Sequence, residues 1–309
     1  MSSTANPART PPGPMLLLRA FGSIVAPLTF LTALMYYFGV LHAFWFFRTF
    51  GVDYTVFQLS TQDYLLRSAD GLFVPLTVAA VGCLLALWGT RLVPEGLFSG
   101  REREVVRTAA IACAVSGGAL SLLATLGVLA PELLYTWVSL PGLALAIGVL
   151  LLLAASRLWW WSRGAASEGR PPPSVPPAVA ATEWSAVLVL VGMGLFWAAG
   201  DWSAAVGTRR GEQVIQGIAA WPDAVVYSRS SLGLNVPNVR ETVCSGPEAC
   251  YRYRYDGLKL VVQAGGQYLL LPTGYTSAEG RAVVLATSEE VRLEYTAVAR
   301  EAGAPLPGC

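Results

Sequence analysis

The sequence predicts a membrane α-helical bundle of about five transmembrane helices, followed by a small C-terminal antiparallel β-rich (α+β) domain. Three observations carry that expectation. Only 13% of the 309 residues are charged and 54% are hydrophobic, whereas soluble chains carry about 25% charge. The shortage is uneven, because residues 20–47, 71–90, 108–130 and 133–155 contain no Asp, Glu, Lys or Arg. Residues 201–309 instead have ordinary charge and alternating strand patterns in place of long apolar runs.

A hydrocarbon layer about 30 Å thick needs about 20 apolar helical residues, since unpaired backbone groups in lipid each cost several kcal/mol. The first span runs from Phe21 to Phe46 and is long enough to tilt or to extend beyond the core. It ends in Phe44-Trp45-Phe46-Phe47-Arg48, an aromatic and cationic anchor suited to a headgroup interface. The second span, Leu72–Leu92, closes at Arg91. The third, Val106–Leu129, and the fourth, Leu134–Ala155, are divided by a tight turn at Ala130-Pro131-Glu132. The fifth, Glu183–Ala199, is the shortest. The third span carries two stripes of small residues, Ala110-Ala114-Gly118 and Ala109-Cys113-Gly117-Ser121. They suit close helix packing, and a substrate path lined by the same residues is the other reading.

Residues 1–14 are polar and Pro-rich and read as a disordered tail. The apolar run from Met15 is too long for a signal-peptide core, so the expectation is a chain anchored by its own helices. Residues 164–182, with Pro171-Pro172-Pro173 and Pro176-Pro177, read as a semi-rigid linker. Orientation follows from arginine. With the N-terminus inside, Arg9, Arg19, Arg91, Arg101, Arg103, Arg107, Arg157, Arg163 and Arg170 fall on the inner side. Arg48, Arg67, Arg209 and Arg210 fall on the outer side. That bias favours a plasma-membrane protein with a cytoplasmic N-terminus and an extracytoplasmic C-terminal domain.

Residues 49–70 are too polar to span and too aromatic for a plain loop. Ser60 and Asp63 fit a helix N-cap, and Asp63 and Arg67 stand at i,i+4, suited to an ion pair. The expectation is a short amphipathic helix lying at the outer interface, acting as a structural collar or as a lid or docking element. Tyr36-Tyr37-Phe38-Gly39, Phe50-Gly51-Val52-Asp53 and Ser60–Ser68 resemble a family of multi-pass membrane proteins from Streptomyces and related actinobacteria. Val225-Val226-Tyr227-Ser228 and Tyr251–Leu258 extend the resemblance to the C-terminal part. It implies the two-part architecture and brings no functional residues with it.

In the C-terminal domain, 205–309, Asp201–Ala219 reads as a short helix stopped by Trp221-Pro222-Asp223. Asp256-Gly257 between alternating residues is a strong two-residue hairpin signal. That turn would put Tyr251, Tyr253, Tyr255, Leu258, Leu260 and Val262 on one face, and Arg254 opposite Lys259 on the other, with Arg252 beside them. A second turn at Ala264-Gly265-Gly266 leads into Gln267–Leu271, and further strands are expected at Ala224–Ser228, Ala282–Ala286 and Val291–Tyr295. Like charges facing across a sheet are destabilising. Arg252, Arg254 and Lys259 therefore call either for pairing with Glu290 or Glu294, or for an anionic surface partner such as lipid headgroups or an acidic envelope polymer. Cys244 and Cys250 bracket a compact turn and could close a disulfide in an external domain.

No catalytic, cofactor-binding or metal-binding constellation stands out. The one histidine, His42, sits among aromatics and reads as packing, and there is no phosphate-binding loop or dinucleotide fingerprint. The net charge of +1 argues against nucleic-acid binding, and carboxylate-free span centres argue against ion-coupled transport. The first functional class to survive is a sensory or interaction protein acting through the β domain. The second is an accessory subunit of an envelope or transport complex, partnered by another membrane protein. The third is a membrane-embedded enzyme, which would depend on Asp53, Asp63 or Arg67.

Overall fold

The computed structural model describes residues 14–92, 102–130, 139–164, 176–245, 250–278 and 280–296. The N-terminal tail, the turn at Pro131-Glu132 and most of the Pro-rich linker lie outside the described residues. Five helices are long and apolar enough to cross a membrane: α1 (Pro14–Arg48), α2 (Thr61–Leu92), α3 (Glu102–Leu129), α4 (Leu140–Gly164) and α5 (Pro177–Gly217). An antiparallel sheet follows, so the helical bundle plus β domain is the architecture.

Two helices are longer than the sequence pattern suggested. No separate surface helix occupies 49–70. Instead a 3-10 turn at Tyr54–Phe57, capped by Asp53, precedes α2, which runs unbroken from Thr61 through Pro75 to Leu92. The Ser60–Asp63 cap itself is present: Asp63 Oδ2 accepts from Ser60 N at 2.9 Å and from Ser60 Oγ at 2.7 Å, and Asp63 N donates to Ser60 Oγ at 3.2 Å. Likewise α5 is continuous for 41 residues, about 60 Å at 1.5 Å per residue. The short helix expected after Asp201 is its second half, and Pro177 at the helix start makes the end of the linker helical.

The continuity of α5 has a packing cause. Ala199, Ser203, Gly207 and Gly211 recur every four residues and are buried along one stripe, against which α1 lies almost backbone to backbone. Ser203 Oγ donates to the Phe38 carbonyl at 2.9 Å, a Cβ at Gly207 would come within 2.5 Å of the His42 carbonyl, and Gly211 abuts Thr49. Gly71 of α2 meets Ser203 from the other side. Thus α1, α2 and α5 form one unit, α4 packs on α5, and α3 packs on α4. On α3 the Cys113-Gly117-Ser121 stripe joins Ala110 and Ala124 in facing α4, with Gly117 meeting the Gly148 backbone. Ala114 and Gly118 of the other stripe are exposed.

Phe38, Gly71 and Ser203 mark a common level, and charge is absent on one side of it. Residues 20–38 of α1, 71–90 of α2 and 184–200 of α5 contain no charged residue, and each is about 26–30 Å long as helix. Beyond that level the three helices continue together for roughly ten to fifteen residues more. This projecting stalk carries the sheet.

The sheet has six strands: β1 (Asp223–Ser228), β2 (Arg240–Val243), β3 (Tyr253–Ala264), β4 (Gln267–Pro272), β5 (Val283–Ala286) and β6 (Val291–Thr296). The order is β5-β4-β3-β1-β6, with β2 also paired to β3. β2 has no counterpart among the expected strands. It is four exposed residues long, too short and too polar for an alternation signal. Asp256-Gly257 is not a hairpin: β3 runs straight through it. Against β1, Leu258 pairs with Ala224 and Tyr255 with Val226, so β3 holds one extra residue there, a β-bulge. Gly257 sits at φ +90°, and a Cβ on it would overlap the Asn238 carbonyl, which explains the glycine. The hairpin signal that operates is Gly265-Gly266, both at positive φ, joining β3 to β4.

One face of the sheet packs Tyr255, Leu258, Leu270, Ala224 and Val226 under the 229–239 segment. Tyr255 Oη accepts from Leu232 N at 2.7 Å, and burial raises the Tyr255 pKa above the usual tyrosine value. The other face docks on the stalk. Phe46, Phe47 and Phe50 of the α1 end join Phe57, Leu59, Tyr64, Ile218, Leu269, Leu271 and Tyr275 in a single buried cluster. Phe47 stacks on Phe57 at 4.5 Å, Tyr275 Oη donates to the Phe50 carbonyl at 3.2 Å, and Gly265 lies directly on the Phe57 carbonyl. The aromatic end of the first span is therefore divided: Phe46 and Phe47 are core, while Arg48 lies over Phe44 and Trp45.

Candidate functional site

The cations expected to form an anionic-partner surface are mostly inside. Arg254 is 4% exposed and donates to Asp256 Oδ1 from Nε at 3.1 Å and from Nη2 at 2.8 Å. Lys259 is also 4% exposed; its Nζ lies 3.1 Å from Asp223 and donates to the carbonyls of Ala219 and Trp221. Their partners are Asp256 and Asp223; Glu294 pairs with Arg292. Only Arg252 is exposed. The physical reason is that they lie on the face opposite Tyr255 and Leu258, where the chain leaving the stalk comes alongside and offers Lys259 the Ala219 and Trp221 carbonyls. A long cation there is tolerated only when its charged end finds carboxylates and carbonyls.

The cysteine expectation also changes. Cys244 is disulfide-bonded, whereas Cys250 is a free, exposed thiol, so the two are not joined to each other. Cys244 continues the β2 ladder, its N–H donating to the Arg252 carbonyl at 2.8 Å, and its side chain is buried. The bonded sulfur is thus withdrawn from solvent, while the Cys250 thiol stands open to it.

Two cavities among the described residues bring polar groups together. The first, about 650 Å³, lies at the bulge of the sheet, where Asn238, Arg240, Arg254, Asp256 and Thr273 converge. Three residues with positive φ border it: Asn238 (+65°), Gly257 (+90°) and Gly274 (+80°). Glycine adopts such angles without steric cost and asparagine tolerates them, so the backbone turns tightly around the cleft. Asn238 is held by its Nδ2 donating to the Thr273 carbonyl at 2.9 Å. Asp256 Oδ2 is buried and has no hydrogen-bond partner among the described residues. Chemically the cleft presents both charges and amide and hydroxyl groups, so it can bind a small polar molecule or a polar segment.

The second cavity, about 640 Å³, runs along the stalk between α2 and α5. His42 and Phe46 of α1 form its floor, and Trp221 stands at one end. Asp63, Leu66, Arg67 and Asp70 come from α2, and Arg210, Gln213 and Val214 from α5. Asp70 accepts two hydrogen bonds from Arg210, at 2.8 and 2.9 Å, tying the helices together. The Asp63–Arg67 ion pair expected from i,i+4 spacing is not formed. Asp63 is occupied by its cap with Ser60, and the Arg67 guanidinium lies over the rings of Phe46 and Phe47, 5.2 and 5.4 Å from their centres. Both ring nitrogens of His42 are buried without a hydrogen-bond partner among the described residues.

Sequence reasoning missed this groove because its residues come from three helices, and the stalk portions of α2 and α5 were assigned to other elements. The four-residue repeat of small residues from Ala199 to Gly211 was the available signal, since it runs straight through the presumed end of the fifth span. Among the described residues no group of three or more His, Cys, Asp or Glu is placed to hold a metal ion. Searches against protein-family models, curated proteins and solved structures find nothing that matches this chain.

Proposed function

We propose that this is a multi-pass plasma-membrane protein with a sensory or interaction role, in which the sheet outside the membrane recognises a ligand or partner and the helices anchor it. The bilayer boundary is set at the level of Phe38, Gly71 and Ser203, which leaves charge-free helix about 30 Å long below it and the stalk above it. The arginine bias supports a cytoplasmic N-terminus and an extracytoplasmic sheet. The observation that carries the reading is the single buried cluster joining Leu269, Leu271 and Tyr275 of the sheet region to Phe46 and Phe47 of α1. A head sharing its core with helix ends cannot shift without moving them, and the cleft at the bulge supplies a recognition surface on that head.

The test places a photoreactive amino acid at Arg240, an exposed cleft residue, in the full chain in living cells. Light-dependent adducts at that position, absent from the same substitution at exposed Glu289, are expected. No adduct under any growth condition tried would count against the reading. A reporter fused at the C-terminus checks the orientation. The accessory-subunit reading is favoured by a different feature: among the described residues α3 packs chiefly on α4, with Ala114 and Gly118 on its open side where another helix could approach closely.

A further inference from the structure

Every buried cation of the sheet is paired with a carboxylate, whereas the half-buried Arg67 of the stalk rests on two aromatic rings. Among the described residues Arg67 takes part in no ion pair within 4.0 Å. No hydrogen bond from its guanidinium is made either, although the group carries five N–H donors in a planar fork. It is positioned rather than loose, because Phe46 and Phe47 support it from below. Its nitrogens are not sealed from solvent and line the groove, where an oxyanion would take up the fork in charge-assisted hydrogen bonds.

The surroundings indicate which oxyanion. Arg67 lies one turn above Gly71, where the charge-free part of α2 begins, so it faces the headgroup layer at the bilayer level set above. Leu66 is 76% exposed and Phe73 is 72% exposed, giving apolar surface above and below the guanidinium. The two carboxylates nearby do not compete for Arg67, since Asp70 is held by Arg210 and Asp63 by Ser60. We infer that the α2–α5 groove is a specific phospholipid site, with the lipid phosphate held by the Arg67 fork and the acyl chains descending along Leu66 and Phe73. The His42 nitrogens are sealed beneath the floor and would need a ring rotation to reach the groove, so the site rests on Arg67. The inference depends on the bilayer level and not on the sensory reading of the sheet.

The full chain in detergent micelles is titrated with a short-chain phosphatidylglycerol, or with inorganic phosphate, and observed by native mass spectrometry. A saturable lipid adduct is expected, with Arg67→Gln binding about tenfold more weakly, the scale of lost hydrogen bonds to a charged group, and Arg67→Lys falling between. Equal lipid binding by Arg67→Gln overturns the inference. So does displacement of the lipid by inorganic phosphate, which would mark a site for the free ion. A phosphatidylglycerol carrying a diazirine near its headgroup tests the unmutated protein. Cross-links concentrated on residues 63–73 and 210–221 support the site, and cross-links spread evenly over α3 and α4 overturn it.

Discussion

The stalk–sheet junction and the α3–α4 pair are both helix contacts, yet they are built from opposite materials. At the junction large aromatic side chains bury themselves against one another, and hydrophobic burial supplies the driving force. Between α3 and α4 the contact is nearly backbone to backbone, through Gly117, Ser121 and Gly148. Two apolar helices gain little by leaving lipid for each other, so close approach and dispersion must hold them. The difference teaches how each contact is fastened: aromatic side chains lock the stalk to the sheet, and a small-residue seam joins α3 to α4. Small residues also line α5 within the stalk, where they bring α1 close enough for the aromatic cluster to form above.

Breaking the junction should have the largest effect. Phe47→Ala empties a fully buried site stacked on Phe57 and is expected to destabilise the protein by about 3–5 kcal/mol, read by thermal unfolding of the full chain in micelles. If the loss is under about 1 kcal/mol, the junction is not the tight core described. Gly265→Val is expected next, at about 1–3 kcal/mol, because it combines positive φ with overlap of the Phe57 carbonyl. Hydrogen exchange should then rise together in β4 and at the end of α1; a rise confined to the β3–β4 turn would mean the sheet stays docked.

Gly148→Leu addresses the other material. It should push α3 from α4 at about 1–3 kcal/mol while leaving exchange in the sheet unchanged, and a disturbed sheet would erase the contrast. The smallest effect expected is alkaline. Burial raises the Tyr255 pKa above an unfolded value of about 10. Its contribution is thus complete below that pH and disappears as pH climbs through the folded value. Denaturation between pH 8 and 11 should show a steeper loss for the wild type than for Tyr255→Phe; parallel curves would remove Tyr255 from the alkaline limb.

Much of this was legible in residue order, though not always for the right reason. A two-residue turn and a one-residue bulge both place Tyr255 and Leu258 on one face and Arg254 and Lys259 on the other. The assignment of those four residues therefore survives although the hairpin at Asp256-Gly257 does not exist, whereas Val262, expected beside Leu258, packs on the stalk face because a second irregularity follows Leu260. Glycine at positive φ serves either motif, and choosing between them depends on β1 and β2 arriving alongside, which local sequence does not encode. The Asp63–Arg67 spacing was similarly ambiguous, because Ser60 and two phenylalanines of another helix compete for the same charged groups.

By itself the sequence determined what periodicity and charge can specify: five apolar helices, most of the strands, the Gly265-Gly266 hairpin and the N-cap at Ser60. Those features depend on neighbours a few residues away and on solvent preference. Only the tertiary structure decided that α5 passes unbroken from bundle to sheet, that Arg254 and Lys259 are buried with carboxylates, and that Arg67 faces an open groove. Each of these depends on which distant group arrives within a few ångströms. Packing of whole elements makes that selection, and no single segment contains it.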